Sequence, residues 1–211
     1  MEIKAAIFDL DGTLVHASPE YRYLVVGNTL RTFGKLSSKS LIDDFWFRAE
    51  TERARVIQKE WGLDPETEFW PSFHSFDSIS LRKEHTKPYE DVGILSEIKD
   101  LGLKTGVVTS APERIIKLEI GMLNYSFDSI IRAQLANGVA QKPHPQGIEK
   151  CLAELAVGKN EAFYVGNSPE DMEMATNARV RGIFIDRGEY DFGKVDSSLT
   201  INSLYALRVL I

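Results

Sequence analysis

The sequence predicts an α/β protein, a doubly wound and mostly parallel sheet with an all-helical insert. Three observations carry this. Short apolar runs rich in Val, Ile and Phe recur along most of the chain, and amphipathic stretches of helical period separate them. Residues 16–86 break that pattern and read as helix throughout. Strands that are each followed by roughly 10 to 15 helical residues imply β-α units, and continuous apolar runs imply strands buried on both faces.

The first strand is Ile3–Phe8, and it runs directly into Asp9. Further strands are expected at "KTGVVT" ending at Thr109, "FDSII" ending at Ile131, "AFYVG" ending at Gly166 and "GIFID" ending at Asp186. A short strand near Leu199–Ile201 and a helix from Ser203 close the chain. The intervening helices are "EDVGILSEIKDLG", "PERIIKLEIGML", "PQGIEKCLAELAV" and "PEDMEMATNA". These pieces place the core domain at residues 1–15 and 87–211.

Within the insert, "SLIDDFWFRAETERARVIQKEW" sets Leu41, Ile42, Phe45, Trp46, Ala49, Val56, Ile57 and Trp61 at largely helical spacing,. Gly62 then reads as a stop just past the helix end. "EYRYLVVGNTLRTFG" and "PETEFWPSFHSFDSISLRKEH" are also helical in pattern, with Pro71 kinking or restarting the second. The aromatic residues here, all three tryptophans included, fit a bundle core better than a ligand stack,.

Composition excludes several classes. Hydrophobic residues at 43% and charged residues at 27% are ordinary for a globular protein,. No apolar run approaches the ~18 residues that a membrane helix needs, and Ile3–Phe8 is too short for a signal core,. Cys151 is the only cysteine, which rules out an internal disulfide and fits a reducing, cytoplasmic setting,. The four histidines (His16, His74, His85, His144) show no zinc-type spacing,. A net charge of −6 argues against nucleic acid as the main partner,. An anionic substrate would have to be held by local cations.

In doubly wound sheets, ligands bind at the carboxyl ends of the strands. The polar residues at those ends are Asp9 and Asp11, then Thr109 and Ser110, then Asn167, Ser168 and Asp171. Lys142 arrives on the "QKPHP" loop. Carboxylates facing a lysine and hydroxyl donors suit phosphoryl chemistry with a divalent metal. One carboxylate of the Asp9/Asp11 pair can attack phosphorus, while the other handles the protons of leaving group and water. Repulsion and partial burial push the pKa values of paired carboxylates apart, so a nucleophile and an acid can coexist. Gly12 permits the close turn, and Thr13 can hydrogen-bond back to hold it.

Each feature also has a purely structural reading. "DGT" is a common turn after a strand. "TSAPE" offers Ser110 as a helix N-cap with Glu113 three residues on, and "NSPED" offers Ser168 with Asp171,. Lys142 could be an ordinary solvated lysine. The order of the motifs along one sheet edge favours the chemical reading.

These motifs resemble those of the haloacid dehalogenase-like hydrolases, almost end to end. "FDLDGTLV" is similar to the family's first motif, "VVTSAPE" to the second, "KPHPQGIEKCLAEL" to the third and "YVGNSPEDMEMATNA" to the fourth. "KPYEDVGILSEIKDLGLKTGVVTS" is similar to the stretch that follows the cap in phosphoglycolate-phosphatase-like members. The resemblance implies a Rossmann-like core and a helical cap at residues 16–86. It implies Asp9 as nucleophile and Asp11 as general acid/base. Thr109 and Ser110 would bind the phosphoryl group, and Lys142 would neutralise nucleophile and phosphate. Asp9, Asp11 (through its backbone carbonyl), Asn167 and Asp171 would hold Mg²⁺. The expected substrate is a small phosphorylated metabolite, with no nucleic-acid or membrane partner and a monomer or homodimer as the assembly.

Two positions depart from the family pattern. The fourth motif usually begins Gly-Asp and here reads Gly166-Asn167; the first is often followed by Asp-Ser and here reads His16-Ala17. The first departure touches metal affinity and the second substrate preference. Dehalogenases of the family lack the second aspartate, so Asp11 favours phosphoryl transfer. A phosphomutase would share every core residue, and a non-catalytic phosphate-binding module is a further alternative. Receiver-type signalling domains need a phosphorylatable Asp ending the third strand, whereas Asp128 begins its strand.

Overall fold

The computed structural model describes residues 2–211, with the backbone alone at residues 50 and 51. Its strands are β1 (Ala5–Phe8), β2 (Val15–Ala17), β3 (Thr86–Pro88), β4 (Lys104–Thr109), β5 (Ser129–Arg132), β6 (Ala162–Gly166), β7 (Arg181–Ile185) and β8 (Leu199–Ile201). Its α-helices are α1 (Pro19–Thr32), α2 (Lys39–Phe47), α3 (Glu50–Lys59), α4 (Trp70–Phe76), α5 (Ile79–His85), α6 (Ile94–Asp100), α7 (Glu113–Leu123), α8 (Gln146–Leu155) and α9 (Pro169–Ala178). The chain divides into two compact units, residues 1–16 with 87–211 and residues 17–86.

The larger unit is the doubly wound, Rossmann-like α/β core that the sequence predicts. Six strands form one sheet in the order β5-β4-β1-β6-β7-β8, and every neighbouring pair is parallel. Alternate residues along the central strands feed opposite faces. Ala5, Ile7, Val108, Ala162, Tyr164 and Phe184 pack with Ile148, Cys151 and Leu152 of α8 and with Met172, Met174 and Ala175 of α9. Ala6, Phe8, Val107, Phe163, Val165 and Ile183 pack with Ile94, Leu95 and Ile98 of α6 and with Leu204 and Leu207 near the C-terminus. Each large apolar side chain so buried contributes roughly 1.5–3 kcal/mol. This two-sided burial is why the strands read as continuous apolar runs.

The strand order sets the position of the functional edge. The chain leaves β1 toward β4 and β5, then returns to β6 and winds outward to β7 and β8. Connections from β1 and β6 therefore diverge, which opens a crevice at their carboxyl ends. The two strands stay in register to the end of the ladder, where Asp9 N–H donates to the Val165 carbonyl at 2.8 Å.

The helical unit has its own core of Val26, Leu30, Ile42, Phe45, Ile57, Trp61 and Phe69, with Trp46 and Trp70 packed partly against it. Where the sequence predicts one helix over residues 40–61, the structure has two. The apolar stripe lapses between Ala49 and Val56, and Arg48 and Ala49 take extended backbone between α2 and α3. Arg53 Nη2 caps the end of α2 by donating to the Trp46 carbonyl at 2.8 Å. Gly62 does end α3's segment in the left-handed region, at φ 62°. Pro71 restarts the chain as helix: residues 65–69 form a π-helical turn and α4 begins at Trp70. Strands β2 and β3, which the sequence did not predict, pair as a separate two-stranded sheet. The closing segment from Ser203 is a 3₁₀ helix, Leu204–Val209.

Candidate active site

Asp9 follows β1 directly, and only 5% of its surface is exposed. Lys142 reaches it from the loop before α8 and donates from Nζ to Asp9 Oδ1 at 2.6 Å. The same Nζ donates to Asp171 Oδ1 at 2.7 Å. Residues separated by 133 and 29 positions thus meet at one ammonium. All three side chains are buried, so the charges compensate one another in a medium that would not tolerate any of them alone,.

The electrostatics follow from that burial. Desolvation pushes the Asp9 carboxyl up to about 7, Asp171 adds to the rise, and Lys142 opposes it. For Lys142, burial lowers the affinity for the proton, but the Asp171 and Asp9 carboxylates outweigh it and hold the amine well above its usual range. The ammonium is the fixed charge of the site, and Asp9 is its adjustable one.

Asp171 is saturated by protein donors. Its Oδ1 accepts from Lys142 and from the Tyr164 hydroxyl at 2.9 Å. Its Oδ2 accepts from Ser168 N–H at 3.1 Å and Ser168 Oγ at 2.8 Å, while Asp171 N–H donates back to Ser168 Oγ at 3.2 Å. The capping box expected at Ser168 is present, and α9 begins there. Tyr164 is a participant that sequence reading passed over as part of an apolar strand. A tyrosine inside a fully buried strand must find a partner for its hydroxyl, and that was the available signal.

The turn after Asp9 is tight. Gly12 adopts φ 75°, and a Cβ there would lie 2.1 Å from Asn167 Nδ2. Glycine alone suits this left-handed turn with the Asn167 side chain packed against it,. Thr13 is fully buried beneath them, and its hydroxyl lies 3.4 Å from Asp9 Oδ2 and 3.5 Å from Asn167 Oδ1. The Thr13 hydroxyl is thus the group these two oxygens share. Asp11 is half-buried on the same turn and bridges to Val15 through its backbone.

Thr109 ends β4 and is buried; its Oγ accepts from Ala111 N–H at 3.1 Å, which leaves its own proton to donate. Ser110 is exposed. It does not cap α7, contrary to the sequence expectation: α7 starts at Glu113 with Pro112 at the cap position and no side-chain cap. Proline after Ala111 holds the backbone extended and delays the helix by two residues. Asp128 lies at the opposite end of the sheet, where Oδ2 accepts from Thr105 N–H at 2.7 Å. That position leaves no basis for a receiver-type reading.

The donor set suits Mg²⁺, a hard cation commonly held by one or two carboxylates with waters and substrate oxygens. Asp9 Oδ2 and Asn167 Oδ1, both within 3.5 Å of the Thr13 hydroxyl, are oxygens of the right chemistry. Among the described residues no group of three or more His, Cys, Asp or Glu side chains is arranged to hold a metal ion.

Residues 6–185 match the haloacid dehalogenase-like hydrolase family. A pyrophosphatase PpaX from Halalkalibacterium halodurans is 28% identical over 97% of this chain and 94% of its own length. The crystal structure of a hydrolase from Pseudomonas syringae superposes with a TM-score of 0.78 at 17% identity, covering 98% of this chain and 96% of that one. CbbY from Rhodobacter sphaeroides, solved in complex with phosphate, superposes with a TM-score of 0.75 at 18% identity, covering 97% and 96%. The chain belongs to the haloacid dehalogenase-like hydrolase family and is a hydrolase of that family.

Proposed function

We propose that the protein is a Mg²⁺-dependent phosphatase acting on a small phosphorylated metabolite through an aspartyl-phosphate. The observation that carries this reading is the buried Lys142 ammonium bonded to both Asp9 and Asp171 at the β1/β6 crevice. Lys142 holds the Asp9 carboxylate in one orientation at Oδ1 and presents positive charge to an incoming phosphate. Asp9 attacks phosphorus, a P–O bond to its carboxylate forms, and the bond to the leaving oxygen breaks. Asp11 gives that oxygen a proton, then takes one from the water that attacks the acyl phosphate, returning Asp9 and releasing phosphate. Thr109 donates its hydroxyl to a phosphoryl oxygen, with Ser110 beside it. Mg²⁺, held by Asp9, Asn167 and the Asp11 carbonyl, would neutralise charge between nucleophile and phosphate. We assign Asp171 to positioning Lys142, since both its oxygens are already engaged. Residues 17–86 act as the cap that sets substrate choice, and a cytoplasmic setting fits the free, buried Cys151,.

A panel of small phosphomonoesters together with inorganic pyrophosphate, assayed for phosphate release with and without Mg²⁺, tests the reading. A haloacid and a sugar-phosphate mutase assay serve as controls. Asp9→Asn should lose all but about 1% of the rate or less while remaining folded, because nucleophile losses are normally far larger. Asp11→Asn should give a burst with an activated aryl phosphate and then stall as the phosphoenzyme. Retained turnover in Asp9→Asn would sink the covalent mechanism.

A further inference from the structure

The loop after β7 carries residues that no step above uses. Arg187 is buried, and its Nη2 donates to the Thr13 carbonyl at 2.6 Å. The same guanidinium forms a bidentate pair with Asp91, at 2.7 and 3.1 Å. Asp91 cannot drift, because its Oδ2 also accepts from Ser203 Oγ at 3.0 Å and Leu204 N–H at 2.8 Å. The guanidinium lies 3.7 Å from the Tyr89 ring centroid, and the Tyr89 hydroxyl donates to Glu189. Glu189 also bonds His16 Nδ1, and Tyr89 N–H donates to the Leu14 carbonyl at 3.1 Å.

These contacts fall on one short segment. Thr13, Leu14 and His16 are gripped in turn by Arg187, Tyr89 and Glu189. The segment is the continuation of the turn that bears Asp9 and Asp11. We infer that Arg187 is a positioning residue for the reaction, holding the Thr13 carbonyl and so aiming the Asp9–Thr13 turn at the phosphate, with Glu189 bracing the same segment through His16. A planar, permanently charged fork that reaches a carboxylate and a carbonyl at once is specific to arginine. The residue held at its carbonyl also carries the hydroxyl that lies 3.4 Å from Asp9 Oδ2 and 3.5 Å from Asn167 Oδ1. This inference rests on the phosphatase reading of the same site.

The test is steady-state hydrolysis of p-nitrophenyl phosphate at saturating Mg²⁺, well below the melting temperature of each variant. A parent that does not turn over this substrate, or an Asp9→Asn variant that does, would count against the phosphatase reading itself. With those controls in place, Arg187→Ala should lower kcat by about tenfold or more with KM within about twofold, because misplacing a reacting group by a fraction of an ångström is costly. Guanidinium at non-denaturing millimolar concentration should restore part of kcat in Arg187→Ala and none in the parent. Arg187→Lys, which preserves charge and bulk, covers the case in which the alanine variant fails to fold, and should keep an intermediate kcat. Glu189→Gln should lower kcat less than Arg187→Ala. A lower melting temperature with unchanged kcat in the arginine variants would show a structural role only and overturn the inference. So would a kcat loss that neither guanidinium nor lysine relieves.

Discussion

At the scale of single residues, the site turns on what each oxygen already holds. Asn167 presents one uncharged carbonyl oxygen where a carboxylate would offer charge, and that oxygen shares the Thr13 hydroxyl with Asp9 Oδ2. One added charge a few ångströms from a cation near a protein surface is worth on the order of 1 kcal/mol or more. Asn167→Asp should therefore lower the Mg²⁺ concentration for half-maximal activity by about tenfold, since 1.4 kcal/mol is a factor of ten. Asp171→Asn should leave that midpoint where it is, because Lys142, Tyr164 and Ser168 occupy both oxygens. Its effect should appear in stability instead: Lys142 keeps its pair with Asp9, but the amide leaves buried hydrogen bonds to Ser168, Tyr164 or Lys142 unmade, at about 1–3 kcal/mol,. Mg²⁺ titrations of the parent and both variants separate the outcomes. An unmoved midpoint in Asn167→Asp would put residue 167 outside the metal's reach, and a raised midpoint in Asp171→Asn would return Asp171 to the metal.

At the scale of elements, helix ends and strand ends do the placing. Ser168 caps α9 and at the same time fixes the carboxylate that fixes Lys142. Ser168→Ala should cost about 1 kcal/mol of stability, as lost N-caps do. It should also lower kcat, because Asp171 loses its Oγ partner; an equally destabilising cap removal at Ser38, the N-cap of α2, should leave kcat unchanged. Equal kcat in both variants would reduce the Ser168 box to a cap. The two capping motifs read alike in the sequence, yet only one formed. Pro169 follows Ser168 immediately and starts α9 at once, whereas Ala111 separates Ser110 from Pro112 and α7 begins later. The helix predicted over residues 40–61 failed for a different reason: a gap in the apolar stripe marked a change of direction, which periodicity alone does not report.

At the scale of the whole molecule, folding buries Asp9 and makes stability depend on pH. Its folded pKa, about 7, lies above the unfolded value of 3.8. The folded state therefore binds more protons between those values, and stability from this group, full below pH ~4, is lost as pH rises through 7. Metal-free parent should lose melting temperature relative to Asp9→Asn as pH goes from 5 to 8, in thermal scans with chelator present; a difference independent of pH would refute this. The sequence by itself determined the fold class, the strands at Lys104–Thr109, Ala162–Gly166 and Leu199–Ile201, the Asp9/Asp11 turn and the family. Those features are local: apolar period, a glycine turn, and motifs that lie contiguous in the chain. Only the tertiary structure decided the strand order, the saturation of Asp171 by Tyr164 and Lys142, and the grip of Arg187 on Thr13. Each of these depends on residues far apart in the chain, brought to hydrogen-bonding distance by packing on two faces of one sheet, and no local pattern encodes which distant partner a buried polar group will find.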